Sequence, residues 1–140
     1  MAKTNSRTLI DTGPLVAILR QNDAHHQDCK AIFASHTAPF ITCWPVVTEA
    51  VWLLRQHQAA INMLFSFFDE QILAINSLKE GSPRWFSEFF DKYGNLRPDF
   101  ADAALVYLAE REAINTIFTL DRRDFGIYRD RNGRPFHLLP

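Results

Sequence analysis

The sequence has few cysteines, almost no net charge and no long apolar run, and each shortage bears on the class of protein. Its two cysteines, Cys29 and Cys43, fit no metal-ligand spacing and are too few for a disulfide-rich secreted scaffold. We expect both thiols to be reduced and buried. A net charge of −1 gives no support for a basic nucleic-acid-binding surface. No stretch approaches the roughly 20 apolar residues of a membrane span, and no signal-peptide core follows the first residues, so we expect a cytoplasmic protein without membrane association.

Apolar and aromatic residues are abundant, at 47% and 13% of the chain, which is typical of a folded domain. Five short apolar segments are predicted to be strands, namely TLIDTG, APFITCW, QILAINSL, TIFTL and RPFHLLP. Helical patterns lie between the first four of these segments. This alternation predicts a mostly parallel sheet covered by helices on both faces. We therefore expect residues 1–140 to form a single α/β domain with three layers, α/β/α, around a central sheet of about five strands.

Three helix starts bear on the position of a functional site. Pro14 suits the first helical position of PLVAILRQ. Pro45 and Thr48 are expected to begin a long helical region, VVTEAVWLLRQHQ, and Asp99 is expected to cap DFADAALVYLAEREA. The last of these helices is apolar almost all round, which indicates a buried, central position.

Carboxylates occur in four widely separated stretches: LIDTGPLVA contains Asp11, PVVTEAVWLL contains Glu49, PDFADAALV contains Asp99 and Asp102, and IFTLDRRDF contains Asp121 and Asp124. Asp11 and Asp121 directly follow predicted strands, at the sheet edge where ligands bind in α/β proteins. Glu49 flanks an apolar helical stripe, and Asp102 lies on the buried helix. A carboxylate in such a position needs donors or a cation to offset its desolvation.

Each acid also has a structural explanation when taken alone. Asp11 could cap the following helix or start a turn, and Glu49 could favour the positive end of a helix dipole. Asp99 and Asp102 together could form a weak capping arrangement, and the acids after TIFTL could cap a turn. In one crevice, however, four carboxylates would repel one another and raise one another's pKa values. A hard, oxygen-binding cation such as Mg²⁺ or Mn²⁺ would be the expected counter-ion.

These four stretches, in this order and at these intervals, resemble PIN-domain proteins, and among them the VapC-type toxin ribonucleases of bacterial toxin–antitoxin pairs. The similarity runs over nearly the whole chain. It implies a PIN-like fold and assigns catalytic and metal-binding roles to four acids, Asp11, Glu49, Asp102 and Asp121. Thr12 occupies the place of a hydroxyl that can join the site, and Asp99 and Asp124 are possible auxiliary acids.

The resemblance implies Mg²⁺- or Mn²⁺-dependent cleavage of RNA to a 5′-phosphate and a 3′-hydroxyl. It also implies a homodimer and a small antitoxin whose tail lies across the active site. The apolar segments VVTEAVWLL and INMLFSFF are expected to supply core together with a dimer or partner groove. Arg122 and Arg123, next to Asp121, are expected to contact RNA phosphates, although a solvated basic face is an equally ordinary explanation.

Histidines and tryptophans could in principle bind zinc or stack on bases. His25 and His26 are adjacent rather than four residues apart, and they lie in a polar stretch, so we expect both on the surface. Trp44, Trp52 and Trp85 could stack on RNA bases, but core packing is the expectation for all three.

Two other functions share parts of this pattern. A phosphoacceptor receiver domain also gathers acids after strands, but it would need an acceptor Asp after the third strand and a Lys after the last core strand. Here QILAINSL offers Asn76, and Arg122 follows the Asp of TLD. A PIN-like scaffold that binds RNA or protein without cutting is the second alternative, and the intact set of acids argues against it.

Overall fold

A computed structural model describes residues 7–37 and 39–140. The elements, in chain order, are β1 (Leu9–Ile10), α1 (Thr12–Leu19), α2 (His26–Ser35), β2 (Phe40–Thr42), α3 (Trp44–Leu53), α4 (Gln58–Asp69), β3 (Leu73–Ile75), α5 (Ser82–Lys92), a 3₁₀ turn (Gly94–Leu96), α6 (Phe100–Glu112), β4 (Thr116–Phe118), α7 (Arg122–Phe125) and β5 (His137–Leu139). All five predicted strands are present. The α/β class is therefore confirmed.

The strands form one sheet in the order β3-β2-β1-β4-β5, and every neighbouring pair is parallel. β1 is central, with Leu9 paired to Ile41 on one side and to Ile117 on the other. The chain builds one half of the sheet outward from β1 and then returns to β4, so the strand order reverses between β1 and β4. A receiver-type sheet has the order 2-1-3-4-5, so this topology excludes that alternative.

Helix α6 is the buried helix that the sequence predicts. Its residues 101–109 are all buried, including Asp102. The Asp99 side chain caps it by accepting a hydrogen bond from the Asp102 N–H at 2.8 Å. The cap and the apolar sequence together explain why this helix starts where it does and why it packs inside the fold.

Two helix starts differ from expectation. Cys43 precedes α3 as its N-cap residue, so Thr48 lies inside the helix, where its hydroxyl donates to the Trp44 carbonyl at 2.9 Å. The predicted long helix also stops at Leu53, and α4 begins only at Gln58. In α1, the side chain of Asp11 accepts from the Thr12 N–H, so the helix starts two residues before Pro14.

Several burial predictions have clear outcomes. Cys29 and Cys43 are buried free thiols, as expected. His25 is exposed, but the surface prediction is wrong for His26, because its Nδ1 lies 2.7 Å from the Ala17 carbonyl oxygen and ties α2 to α1. An imidazole with such a partner can be buried at little cost.

The prediction of core packing is wrong for two of the three tryptophans. Trp44 is 56% exposed and Trp52 is 63% exposed, because both lie on the outward side of α3. Trp85 is half-buried, and its indole N–H donates to the Glu110 carboxylate.

None of the helices in the described part of the chain combines the length and apolar character needed to cross a membrane.

We predict that Phe118→Ala lowers the free energy of unfolding by about 3–5 kcal/mol, because it removes a fully buried ring from β4 and leaves a cavity against Phe40. Urea unfolding followed by circular dichroism measures the loss. Phe65→Ala is the matched control, since Phe65 is 42% exposed, and it should cost about 1 kcal/mol or less. Equal losses in the two variants would contradict the placement of the core.

Candidate metal centre

Six carboxyl groups from four parts of the fold meet at the carboxyl edge of the sheet. Asp11 follows β1, Glu49 lies on α3, Asp99 and Asp102 begin α6, and Asp121 and Asp124 follow β4. The pKa values of Asp11, Glu49, Asp102 and Asp124 are each raised in part by the charge of another acid of this set. The acids that are far apart in the sequence therefore lie close together in the structure, as a shared metal site would require.

Asp11 is held on both carboxylate oxygens. Its Oδ1 accepts from the Thr12 N–H and its Oδ2 accepts from the Thr119 hydroxyl, both at 2.8 Å. The Thr119 oxygen also accepts from the Asp121 N–H at 3.1 Å, so one threonine connects the ends of β1 and β4. Burial raises the pKa of Asp11 to about 6 despite these bonds, and the charges of Asp99 and Asp121 add to the rise.

Asp102 has the most strongly perturbed carboxyl group of the cluster. It is 6% exposed, and its Oδ2 accepts a hydrogen bond from the buried Tyr128 hydroxyl at 3.1 Å. Burial raises its pKa to about 9, with further contributions from the charges of Asp11 and Asp99. Without a cation, this carboxyl group therefore favours its protonated form at neutral pH.

Glu49 and Asp124 are less buried but respond to the same neighbours. Burial, and then the charge of Asp99, raise the pKa of Glu49 to about 7. A hydrogen bond from the Thr12 side chain offsets part of this rise. The pKa of Asp124 is also raised, by burial and by Asp121. Asp99 acts on both groups, so this helix-capping residue also contributes charge to the cluster.

The tightest group consists of Asp102, Asp121 and Asp124. One carboxylate oxygen of each residue lies within 4.8 Å of the other two. The Asp121 carboxylate also accepts from the Asp124 N–H at 3.1 Å, which starts the short helix α7 and turns both acids toward Asp102. Three oxygens at this spacing suit a hard divalent cation that keeps several waters. The sequence predicts Asp124 only as a possible auxiliary acid, but its carboxylate lies in this tightest group.

The two arginines next to the cluster have different surroundings. Both are exposed on α7. The Arg122 guanidinium donates to the Pro140 carbonyl. Arg123 lies beside the acids, because its charge partly offsets the rise in the pKa of Asp124 that burial and Asp121 cause.

Sequence reasoning missed Thr119 and Tyr128, the two hydroxyls that donate to buried carboxylates. Thr119 lies two residues before Asp121 and could have been recognised as a side chain at the end of β4. Tyr128 is 26 positions from Asp102, and no spacing in the sequence connects them.

Comparisons with known proteins identify the family of this chain. The family model for the PIN domain matches residues 8–129. A 49-residue segment is 47% identical to ribonuclease VapC26 of Mycobacterium tuberculosis (strain ATCC 25618 / H37Rv), and this match spans only 35% of the chain and 36% of that protein.

The fold is also similar to that of a solved structure. The crystal structure of Mycobacterium tuberculosis VapC20, a sarcin-ricin loop cleaving toxin, matches with a TM-score of 0.74 over 83% of this chain and 91% of that one. At 17% identity this similarity concerns the fold alone. The match of the family model over most of the sequence, together with the shared fold, shows that the chain belongs to the PIN-domain family.

Proposed function

We propose that the protein is a Mg²⁺- or Mn²⁺-dependent endoribonuclease and the VapC-type toxin of a toxin–antitoxin pair. The observation that carries the proposal is the convergence of six carboxyl groups, three of them with oxygens within 4.8 Å of one another. The 47% identity of one segment to a VapC ribonuclease supports the choice of RNA as substrate. Under this proposal the partners are RNA, a cognate antitoxin and a second copy of the chain.

The residues fit a divalent cation because every donor is a carboxylate oxygen. Burial, and then the charges of neighbouring acids, raise the pKa values of Asp11 and Asp102, and a bound cation would offset both effects. Asp102, Asp121 and Asp124 would hold the ion, with Asp11 next to them. A bound Mg²⁺ or Mn²⁺ would supply an acidified water and neutralise charge that develops on the phosphate.

The protein's side chains would orient the water, position the acids and bind the phosphates. Glu49 is partly exposed and has a pKa of about 7, which supports a role in which it would orient the attacking water and accept its proton. The hydroxyls of Thr119 and Tyr128 keep Asp11 and Asp102 in position. Arg123, and Arg122 beyond it, would bind phosphates on either side of the cleaved bond.

We predict that Asp102→Asn and Asp11→Asn each lower Mn²⁺-dependent cleavage of RNA by at least about 100-fold, because each removes a charge that binds or supports the cation. Cleavage is followed with a fluorophore–quencher RNA and by sequencing the 5′ ends of cellular RNA after brief expression. Asp91→Asn, an exposed acid on α5, should retain activity. Full activity in both site variants, in a folded protein, would contradict the assignment of the active site to these acids. A folded wild-type protein that binds RNA but does not cut it would instead favour the non-catalytic scaffold.

We predict that the metal-free protein loses stability as pH rises from about 4 to about 9. The pKa values of Asp11, Glu49 and Asp102, at about 6, 7 and 9, lie above their ordinary values, so the folded state holds more protons than the unfolded state in this window. Mg²⁺ should then raise the melting temperature more at about pH 8 than at about pH 6, since it binds the ionised carboxylates.

Thermal unfolding with EDTA and with millimolar MgCl₂ tests this pH dependence. Asp102→Asn is the informative comparison, because it removes the group with the largest rise and should flatten the pH dependence of the metal-free protein. A wild-type protein that becomes more stable with rising pH, and that shows no Mg²⁺ effect, would contradict the carboxylate cluster.

We predict that Tyr128→Phe lowers Mn²⁺ affinity by about 10- to 100-fold while the ring packing of the core is kept. The reason is that the variant removes the hydroxyl that donates to Asp102. Isothermal titration calorimetry measures the change. Tyr107→Phe is the control, because its hydroxyl lies near Arg111 rather than near the acids. Similar affinities in the two variants would show that Tyr128 does not support the metal site.

A further inference from the structure

An aromatic groove of about 570 Å³ adjoins the acid cluster. It lies between α3 and the first turn of α6, two helices that pack against each other. Trp44, Trp52 and Phe100 line it, and Glu49 and Asp99 of the acid cluster line it as well. A molecule in the groove would therefore touch the proposed active site directly.

Trp52 has one ring face covered and is 63% exposed overall. The Arg55 guanidinium lies 3.9 Å from the ring centroid, and its Nη1 donates to the Trp52 carbonyl at 2.9 Å. This contact orients the indole and places a positive charge beside it. Among the ion pairs of the residues that the structure describes, Arg55 has no carboxylate partner, so its charge is available to an anionic ligand.

Phe100 is fixed in a similar way on the opposite side of the groove. Its ring centroid lies 4.7 Å from that of the buried Phe86, while 46% of the residue remains exposed. Each of the two rings is thus supported by the protein and open on another side. Rings presented in this manner are suited to stack on flat, uncharged groups.

We propose that Trp52 and Phe100 stack on unpaired bases of the nucleotides adjoining the scissile phosphate, with Arg55 contacting the RNA backbone. This inference rests on the proposed ribonuclease function and assigns Trp52, Phe100 and Arg55 to the positioning of its RNA substrate. A nucleobase fits better than other apolar groups for two reasons. The groove is continuous with the acids that would face the phosphate, and the unpaired Arg55 complements a polyanion.

Stacking at the groove would select against double-stranded RNA. In a duplex both faces of an internal base are covered by its neighbours, so an aromatic side chain can reach only bases that are unstacked in loops, bulges or ends. The wild-type protein should therefore bind single-stranded RNA more tightly than the corresponding duplex, and this preference should shrink when Trp52 is truncated.

The test compares Trp52→Ala, Trp52→Phe and the control Phe65→Ala on a fluorophore–quencher single-stranded RNA. Trp52→Ala should raise KM roughly tenfold, the effect of one lost base stack, with a smaller change in kcat. Trp52→Phe keeps an aromatic face and should recover most of the loss. Phe65→Ala removes an exposed ring that does not line the groove and should not change KM.

A second readout measures binding without cleavage. In an Asp102→Asn background with Mg²⁺ present, a 2-aminopurine base in the RNA should lose fluorescence when it stacks on Trp52, and this quenching should disappear in the Asp102→Asn, Trp52→Ala double variant. Sedimentation velocity of the same variants reports whether the groove is instead an interface with a second copy of the chain.

The outcomes separate the two proposals. If wild-type protein cleaves no RNA but Trp52-dependent quenching is seen, the ribonuclease function fails while base stacking in the groove holds. If RNA is cleaved and Trp52→Ala changes neither KM nor quenching, the stacking inference is overturned. A variant that turns a dimer into a monomer without changing either RNA readout also overturns it.

Discussion

Repulsion among six carboxyl groups at one sheet edge is the constraint on which the arrangement of this protein depends. The fold holds them together with groups that stabilise negative charge. Asp11, Asp99 and Asp121 each cap the helix that follows, accepting from a backbone N–H at its start. The positive ends of α1 and α6 therefore point at the acid cluster. Helix capping and the proposed role in a metal site are consequently not competing explanations for these residues, because the same geometry is compatible with both.

The parallel sheet explains why these helix starts meet. Every strand ends at the same edge, so each helix that follows a strand begins there. The strand order reverses between β1 and β4; Asp11 directly follows β1, and Asp121 lies shortly after the end of β4. Thr119 joins them across this switch point with two hydrogen bonds. The crevice at a switch point is the usual ligand site of such sheets, and here the six carboxyl groups meet beside it.

The acids have a positively charged side chain on one side and exposed aromatic rings on the other. On the side of α7, Arg123 provides positive charge near Asp124. On the side of α3, the exposed rings of Trp44 and Trp52 provide apolar surface. The proposed RNA substrate has a charged backbone and flat bases, and the two kinds of surface would suit these two parts.

By itself, the sequence determined the α/β class, the five strands, the burial of α6 and the set of acids, because hydrophobic periodicity and capping are local properties of the chain. Only the tertiary structure decided which side chains meet. It brought Asp124 next to Asp102, paired Tyr128 with Asp102 across 26 positions, buried His26 against Ala17 and left Trp52 exposed. Periodicity identifies the face of a helix that is apolar, but the neighbours that cover or leave open that face depend on the packing of distant elements. The pKa values follow from the same packing, since burial is their largest cause.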